Sequence, residues 1–306
     1  MARRRNRGRS INGVLLLDKP AGLTSNAALQ IVKRLYDANK AGHSGSLDPL
    51  ATGMLPICLG EATKISGFLL SADKCYRAVC KLGVTTNTGD SDGEVLNEQP
   101  VGPLDVAQVR EVLMHFLGDS KQVPPMHSAI KRDGVPLYKL AHQGIEVERE
   151  PRDITIHSID LVSLEDDELE IDVCCSKGTY IRTLAENIGE ALGCGAHVSA
   201  LRRTGIGALD NNEMHTLDSL TALAEQEGKE ALDSVLLPTE AALPDWPEVQ
   251  LSADASFYLC QGQAVFVPQL KDRGWVRLFG DNKRFLGLGT VLDDGRVAPK
   301  RLLSTQ

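Results

Sequence analysis

The chain has 306 residues, 42% of them apolar and 24% charged, enough for a large core plus a smaller second domain and too apolar for global disorder. No run approaches the roughly 18 to 20 apolar residues of a membrane span, and the early Val14 to Leu17 patch is too short for a signal-peptide core, so a cytoplasmic protein is expected. The net charge of −8 argues on its face against a nucleic-acid partner, but the charges are segregated along the chain.

The first ten residues hold Arg3, Arg4, Arg5, Arg7 and Arg9, a basic tail (1–10) that suits phosphate contacts or a solvated arm. Folded structure is predicted from Ile11, where an apolar run to Leu17 closes at Asp18, Lys19, Pro20 and Gly22, the pattern of a buried strand entering a turn. Ser25 can cap a helix whose Ala28, Ile31, Val32 and Leu35 repeat at helical spacing, and Val106, Val109, Leu113 and Phe116 mark another. Tyr76 to Leu82 and Leu169 to Cys175 alternate with the two-residue period of half-buried strands. Between the later helix and strand, the stretch 122–151 is basic, weakly patterned and punctuated by Pro124, Pro125, Gly134, Pro136 and Gly144, longer than most connections in compact domains and therefore functional or mobile.

Eleven acidic residues against Lys229 alone fall between Asp210 and Asp254, so that one segment carries the whole negative balance. Pro238, Pro244 and Pro247 mark a linker, and short apolar runs separated by Gly274, Gly280 and Gly295 predict a small β domain over 248–306. The seven cysteines include no C-x-x-C pair, which suggests neither a disulfide framework nor a zinc site and leaves buried or bystander thiols.

Two segments carry candidate chemistry. The loop from Gly42 to Gly53 presents His43 and Asp48; an aspartate before proline is most often a turn residue, because its side chain bonds local N–H groups. In Cys-Cys-Ser-Lys-Gly-Thr-Tyr-Ile-Arg, residues 174–182, the alternating strand stops and Ile181, Leu184, Ala185 and Ile188 begin a helical stripe ending at Gly193. Arg182 then lies in a first helical turn, where the helix dipole disfavours a cation, so an anionic partner is expected. Tyr180 and Arg182 stand two positions apart, roughly 200° around a helix, and share a face only if the helix starts later than that.

Three separated segments together resemble the TruB family of pseudouridine synthases: Asp-Lys-Pro-Ala-Gly-Leu-Thr-Ser from Asp18, the His43 to Gly53 loop, and Cys175 to Thr204. The likeness continues through Gly60 to Lys64, Pro124-Pro125, Ser128-Ala129 with Lys131, and Gly195-Ala196-His197 to Leu201-Arg202-Arg203-Thr204. It implies an α+β catalytic domain over 11–247, with a mixed, largely antiparallel sheet and flanking helices, followed by a PUA-like RNA-binding β domain. It also implies that the chain isomerises the T-loop uridine of tRNA, with no cofactor, no metal and no protein partner. By motif position, Asp48 matches the catalytic aspartate, Arg182 the arginine paired with it, and Tyr76 the aromatic that stacks on the target base. Tyr180 and Leu201 match residues lining the uracil pocket, His43 a histidine associated with base extrusion, and 122–151 a thumb-like loop that closes on RNA. Asn87 and His127 depart from the family's usual acidic residue and tyrosine. Two rival classes, a non-catalytic RNA-binding or tRNA-folding protein and an N-glycosidase, differ from this reading in whether Asp48 is needed and whether base is released. The carboxylate could attack sugar or base or remove a sugar proton; the residues do not choose among these.

Overall fold

A computed structural model describes residues 8–209, 213–268, 270 and 273–304. Most of the predicted basic tail, residues 1–7, lies outside the described residues. Arg9 is placed, and it is not free for a phosphate: its Nη2 pairs with Asp233 at 2.6 Å and its Nη1 donates to the Lys229 carbonyl. The acidic segment thus takes up one arginine of the tail.

The fold is α+β, built on an eight-stranded sheet in the order Gly13–Lys19, Thr52–Leu59, Ala196–Ile206, Lys74–Leu82, Glu168–Cys175, Arg152–Glu165 and Gly118–Gln122, with Ala41–His43 also paired to Thr52–Leu59. Every pairing is antiparallel except that of Ala196–Ile206 with Thr52–Leu59, which is parallel at Arg202 opposite Thr52 and Arg203 opposite Gly53. The continuous apolar run of the first strand is explained by burial on both sides. Leu15 and Leu17 enter the main core, while Val14 and Leu16 enter a second cluster with Met54, Cys58 and Leu69, as a strand covered on two faces requires.

The main core fills the space between the sheet and three helices. Ala28, Leu29 and Val32 come from Ser25–Leu35, Val109 and Leu113 from Val106–Met114, and Ile181, Leu184, Ala185 and Ile188 from Ile181–Ala191. The predicted stripes are therefore the buried faces, although Phe116 lies past the end of its helix. The first cap differs by one residue: Thr24, not Ser25, accepts from the Ala27 N–H. Ser25 instead exchanges hydrogen bonds with the backbone of Leu47, its Oγ donating to the carbonyl at 3.0 Å and accepting from the N–H at 2.7 Å, and so ties the helix to the loop that carries Asp48.

The stretch 122–151 holds local structure that its weak pattern did not reveal: a hairpin pairing Lys131–Arg132 with Val135–Pro136, then a helix Leu137–Ala141. Two-residue strands and a five-residue helix are too short to impress a period on the sequence. Toward the C-terminus a five-stranded sheet, Glu248–Gln250, Gly274–Phe279, Phe285–Val291, Arg296–Leu302 and Val265–Phe266 in that order, encloses its own core of Val249, Leu251, Leu259, Val276, Leu278 and Val297. This β domain sits on the first through an aromatic cluster, with Phe68 at 4.8 Å from both Trp246 and Trp275, and Arg277 donates to the Trp246 and Pro244 carbonyls.

The expectation about cysteines is corrected. Cys75 and Cys174 form a disulfide between neighbouring strands, where the antiparallel register sets them directly opposite each other. A cross-strand pair depends on register and leaves no spacing signature in the chain. No helix among the described residues is long and apolar enough to cross a membrane.

Candidate active site

The strand Ala41–His43 pairs with the far end of Thr52–Leu59, His43 opposite Ile57, so residues 44–51 must fold back as a tight loop at the end of the sheet. Ser44 donates from its backbone to the Pro56 carbonyl and from its hydroxyl to the Ser66 carbonyl, and Ser25 grips Leu47 from the other side. Asp48 sits at the turn that follows, its carbonyl accepting from the Ala51 N–H at 3.1 Å. Its carboxylate, however, makes no local backbone hydrogen bond among the described residues. It faces Arg182 across the cleft, Oδ2 to Nε at 3.0 Å.

Arg182 reaches that position from the first turn of the helix, which starts where its apolar stripe does. Tyr180 is an extended N-cap residue, with φ −98° and ψ 110°, and Ile181 opens the helix, so Tyr180 and Arg182 are not bound by helical spacing. The side chain of Gln122 fixes this entry, accepting from the Tyr180 N–H at 2.8 Å and donating to its carbonyl at 3.0 Å. Arg182 is 5% exposed and fully engaged. Beyond Asp48 it meets Asp90 Oδ2 at 3.6 Å and donates to the carbonyls of Thr88 and His127, each at 2.8 Å. The cation in a first helical turn thus has its anionic partners, two carboxylates.

The electrostatics of Asp48 are not set by its arginine alone. Arg182 favours the Asp48 anion, but burial outweighs it, and Asp90 and Asp92 add repulsion, so the carboxyl is raised above the ordinary aspartate value. Its side chain still keeps 43% of its surface open to the cleft; depth of surrounding protein, not closure, is what desolvates it. A raised carboxyl is a better base and a better nucleophile, which suits either role. Glu186, on the same helix, is raised by the same burial.

Tyr76 points to the core side of its strand, opposite Arg203 in register, and burial raises its phenol, with Arg203 opposing and Asp48 within electrostatic reach. Tyr180 is likewise raised by burial and feels both Arg182 and Asp48. Leu201, 8% exposed, lies two residues before Arg203 on the same face. His43 is half-buried at the end of the strand that enters the Asp48 loop, its Nδ1 without a hydrogen-bond partner among the described residues, and burial together with Arg203 lowers its pKa, which keeps the ring neutral. Asp48, Arg182, Tyr76 and Tyr180 therefore converge, whereas Leu201 and His43 join them through the surroundings of Arg203. Of the two departures, Asn87 closes a turn by accepting from the Glu94 N–H, whereas His127 meets Arg182 only through its main-chain carbonyl, a contact that does not depend on the imidazole.

Asp90 was missed in the sequence. It lies in a turn held by Thr86 and Thr88, whose hydroxyls donate to its carbonyl at 2.7 Å and its carboxylate at 2.6 Å. Gly89 permits the approach: its φ is +73°, and a Cβ there would meet the Glu186 carboxylate at 2.9 Å. The Thr-x-Thr-Gly-Asp run was the available signal, and it reads as an ordinary turn. Among the described residues no group of three or more His, Cys, Asp or Glu side chains could hold a metal.

The model of the TruB family pseudouridylate synthase N-terminal domain matches residues 33–181. A tRNA pseudouridine synthase B from Nitrosococcus oceani is 59% identical over 99% of this chain and 98% of its own length. The chain belongs to the TruB family of pseudouridylate synthases. Two further family models, a tRNA pseudouridylate synthase B C-terminal domain and a pseudouridine synthase II TruB C-terminal domain, match 182–244 and 247–303. The tRNA pseudouridine synthase B of Stutzerimonas stutzeri is 53% identical over 97% of both chains. Among solved structures, a chain of a Cbf5-Nop10-Gar1 complex superposes with a TM-score of 0.73 at 29% identity, covering 92% of this chain and 78% of its own.

Proposed function

We propose that this protein converts the T-loop uridine of tRNA to pseudouridine in the cytoplasm, with Asp48 as the essential carboxylate. The observation that carries this reading is the Asp48 carboxylate turned away from its own turn and toward Arg182 at 3.0 Å, inside a chain of this family. The reaction breaks the bond between uracil N1 and the sugar carbon, turns the base, and joins that sugar carbon to uracil C5. The proton leaves C5 and N1 gains one, so no redox partner or acceptor group enters the balance.

Reaching a uridine inside a folded loop means unstacking it, at about a few kcal/mol recovered by stacking and edge contacts in the pocket. Tyr76 supplies the stacking ring, Tyr180 and Leu201 line the pocket, and neutral His43 assists extrusion without adding charge. Arg182 orients Asp48 and leaves it reactive, because burial prevails over the ion pair. The stretch 122–151, with Lys131 and Arg132 exposed, grips the RNA as a thumb, and residues 248–306 bind RNA as a PUA-like domain.

Asp48→Asn tests the reading. Asparagine keeps the size and the turn-forming backbone, so the variant folds and binds tRNA, while single-turnover tritium release from 5-tritiated uridine in tRNA falls below detection. A free-uracil assay on the same reaction separates synthase from glycosidase. Near-normal tritium release by the folded variant sinks the reading.

A further inference from the structure

Among the described residues Arg203 is the bulkiest fully buried side chain, 1% exposed, and no carboxylate there pairs with it. A guanidinium buried without a counter-charge is expensive unless its N–H groups are satisfied with good geometry. Here the acceptors are carbonyls: Nε donates to Met54 at 2.7 Å and Nη2 to Gly45 at 3.0 Å. Those two residues bracket the loop that contains Asp48. Its backbone is pinned at the same place, since Arg203 stands opposite Gly53 in the short parallel pairing. Gly53 has φ +93°, and a Cβ there would lie 2.2 Å from the Arg203 carbonyl, so nothing larger than glycine lets the strands approach this closely. On its other side Arg203 is the register partner of Tyr76, whose phenol is within electrostatic reach of the guanidinium.

One side chain therefore touches both halves of the machinery. We propose that Arg203 is a positioning residue for pseudouridine formation: its fork holds the Gly45 and Met54 carbonyls while its strand stands opposite Tyr76, and so it sets the Asp48 loop against the ring on which the base stacks. The proposal rests on the roles given above to Asp48 and Tyr76. Arg203 touches no reacting atom; it acts through the loop and the ring. The planar fork explains why arginine fills the position, because an ammonium on a lysine stem carries the charge but cannot span carbonyls in a fixed plane.

The test compares Arg203→Met and Arg203→Lys with the wild type in single-turnover tritium release, filter binding of tRNA and thermal melting of the full chain. Displacement of a catalytic group by about 1 Å can slow a reaction by about 10²-fold. That is the expected fall for Arg203→Met, with tRNA affinity changed less than about threefold because binding rests on phosphate and shape contacts elsewhere. Arg203→Lys is expected about tenfold slow with unchanged affinity, a partial rescue that the single-point ammonium allows. A merely structural role would lower the melting temperature and leave the maximal rate of the folded enzyme unchanged; the loss is expected in the single-turnover rate at saturating enzyme, measured below the melting temperature, and not in the enzyme concentration that gives half-saturation. If Arg203→Met does not fold, Arg203→Lys decides, and a folded, tRNA-binding lysine variant with the wild-type rate overturns the proposal. Wild-type turnover by a folded methionine variant overturns it as well. Asp48→Asn runs in parallel. If that variant stays active, the catalytic reading and this proposal fall together; if it is inactive while both Arg203 variants turn over normally, Arg203 alone loses its role.

Discussion

Replacing Arg182 by methionine removes the one cation that faces both carboxylates of the site. Asp48 would lose a partner at 3.0 Å, but its side chain is 43% exposed, so water replaces much of what is lost. Asp90 has no such recourse: its side chain is 7% exposed, 3.6 Å from the guanidinium. Breaking a buried pair by deleting one member costs about 3–5 kcal/mol, because the survivor remains charged and dry. Most of the destabilisation of Arg182→Met should therefore reside at Asp90, and Asp90→Asn should relieve it, since asparagine keeps the oxygen that accepts from Thr88 and the Asp92 N–H. The double variant should recover about 0.5–3 kcal/mol relative to the sum of the two single changes, the range for directly coupled groups. Urea unfolding followed by circular dichroism at fixed ionic strength gives all four corners of the cycle. Activity should not recover with stability, since Asp48 remains unoriented in the double variant. Additivity within about 0.5 kcal/mol would refute the coupling.

Because burial raises the Asp48 carboxyl above its ordinary value of 3.8, the acid limb of kcat/KM for tritium release should lie above the ordinary aspartate range; an acid limb at the ordinary value would contradict the environment described. The same raised pKa means that Asp48 contributes stability that is present below the ordinary carboxyl pKa and lost as pH rises through the folded value. The stability of Asp48→Asn relative to wild type should thus improve with rising pH across that window, and a pH-independent difference in urea midpoints would count against it. Deleting residues 2–7 should flatten the logarithmic salt dependence of tRNA binding by about 0.7 to 0.9 per engaged arginine; with Arg9 held by Asp233, four arginines set the ceiling, and equal slopes would make the tail a bystander. Reduction of Cys75–Cys174, which spans a sequence separation of 99, should cost about 2–4 kcal/mol. Tritium release should persist below the lowered melting temperature, because the cysteines lie on the opposite face of the strand from Tyr76; loss of turnover in the folded, reduced enzyme would refute that separation.

The local code of this chain was enough to place its main elements. Period-two alternation marked Tyr76 to Leu82 and Leu169 to Cys175, helical stripes marked the buried faces that cover the sheet, and the unbroken apolar run at Val14 foretold a strand covered on both sides. The order of short motifs was sufficient to identify the family and to nominate Asp48 and Arg182, because a motif is a run of neighbours along the chain and can be read without knowing the fold. Pairing across the fold was not legible. Asp90 meets Arg182 only because a turn between two strands is folded onto a helix that begins some ninety residues later, and the Cys75–Cys174 bond exists only because register sets those residues opposite each other. Arg203 stood in the sequence only as part of the Leu201 to Thr204 run, with no role of its own; burial gave it carbonyls as partners beside the Asp48 loop. The balance at Asp48 also belongs to the tertiary structure. An adjacent arginine by itself lowers a carboxyl pKa, and it took the depth of the cleft and the proximity of Asp90 to reverse the sign, since desolvation depends on everything packed around a group and not on its neighbours in sequence.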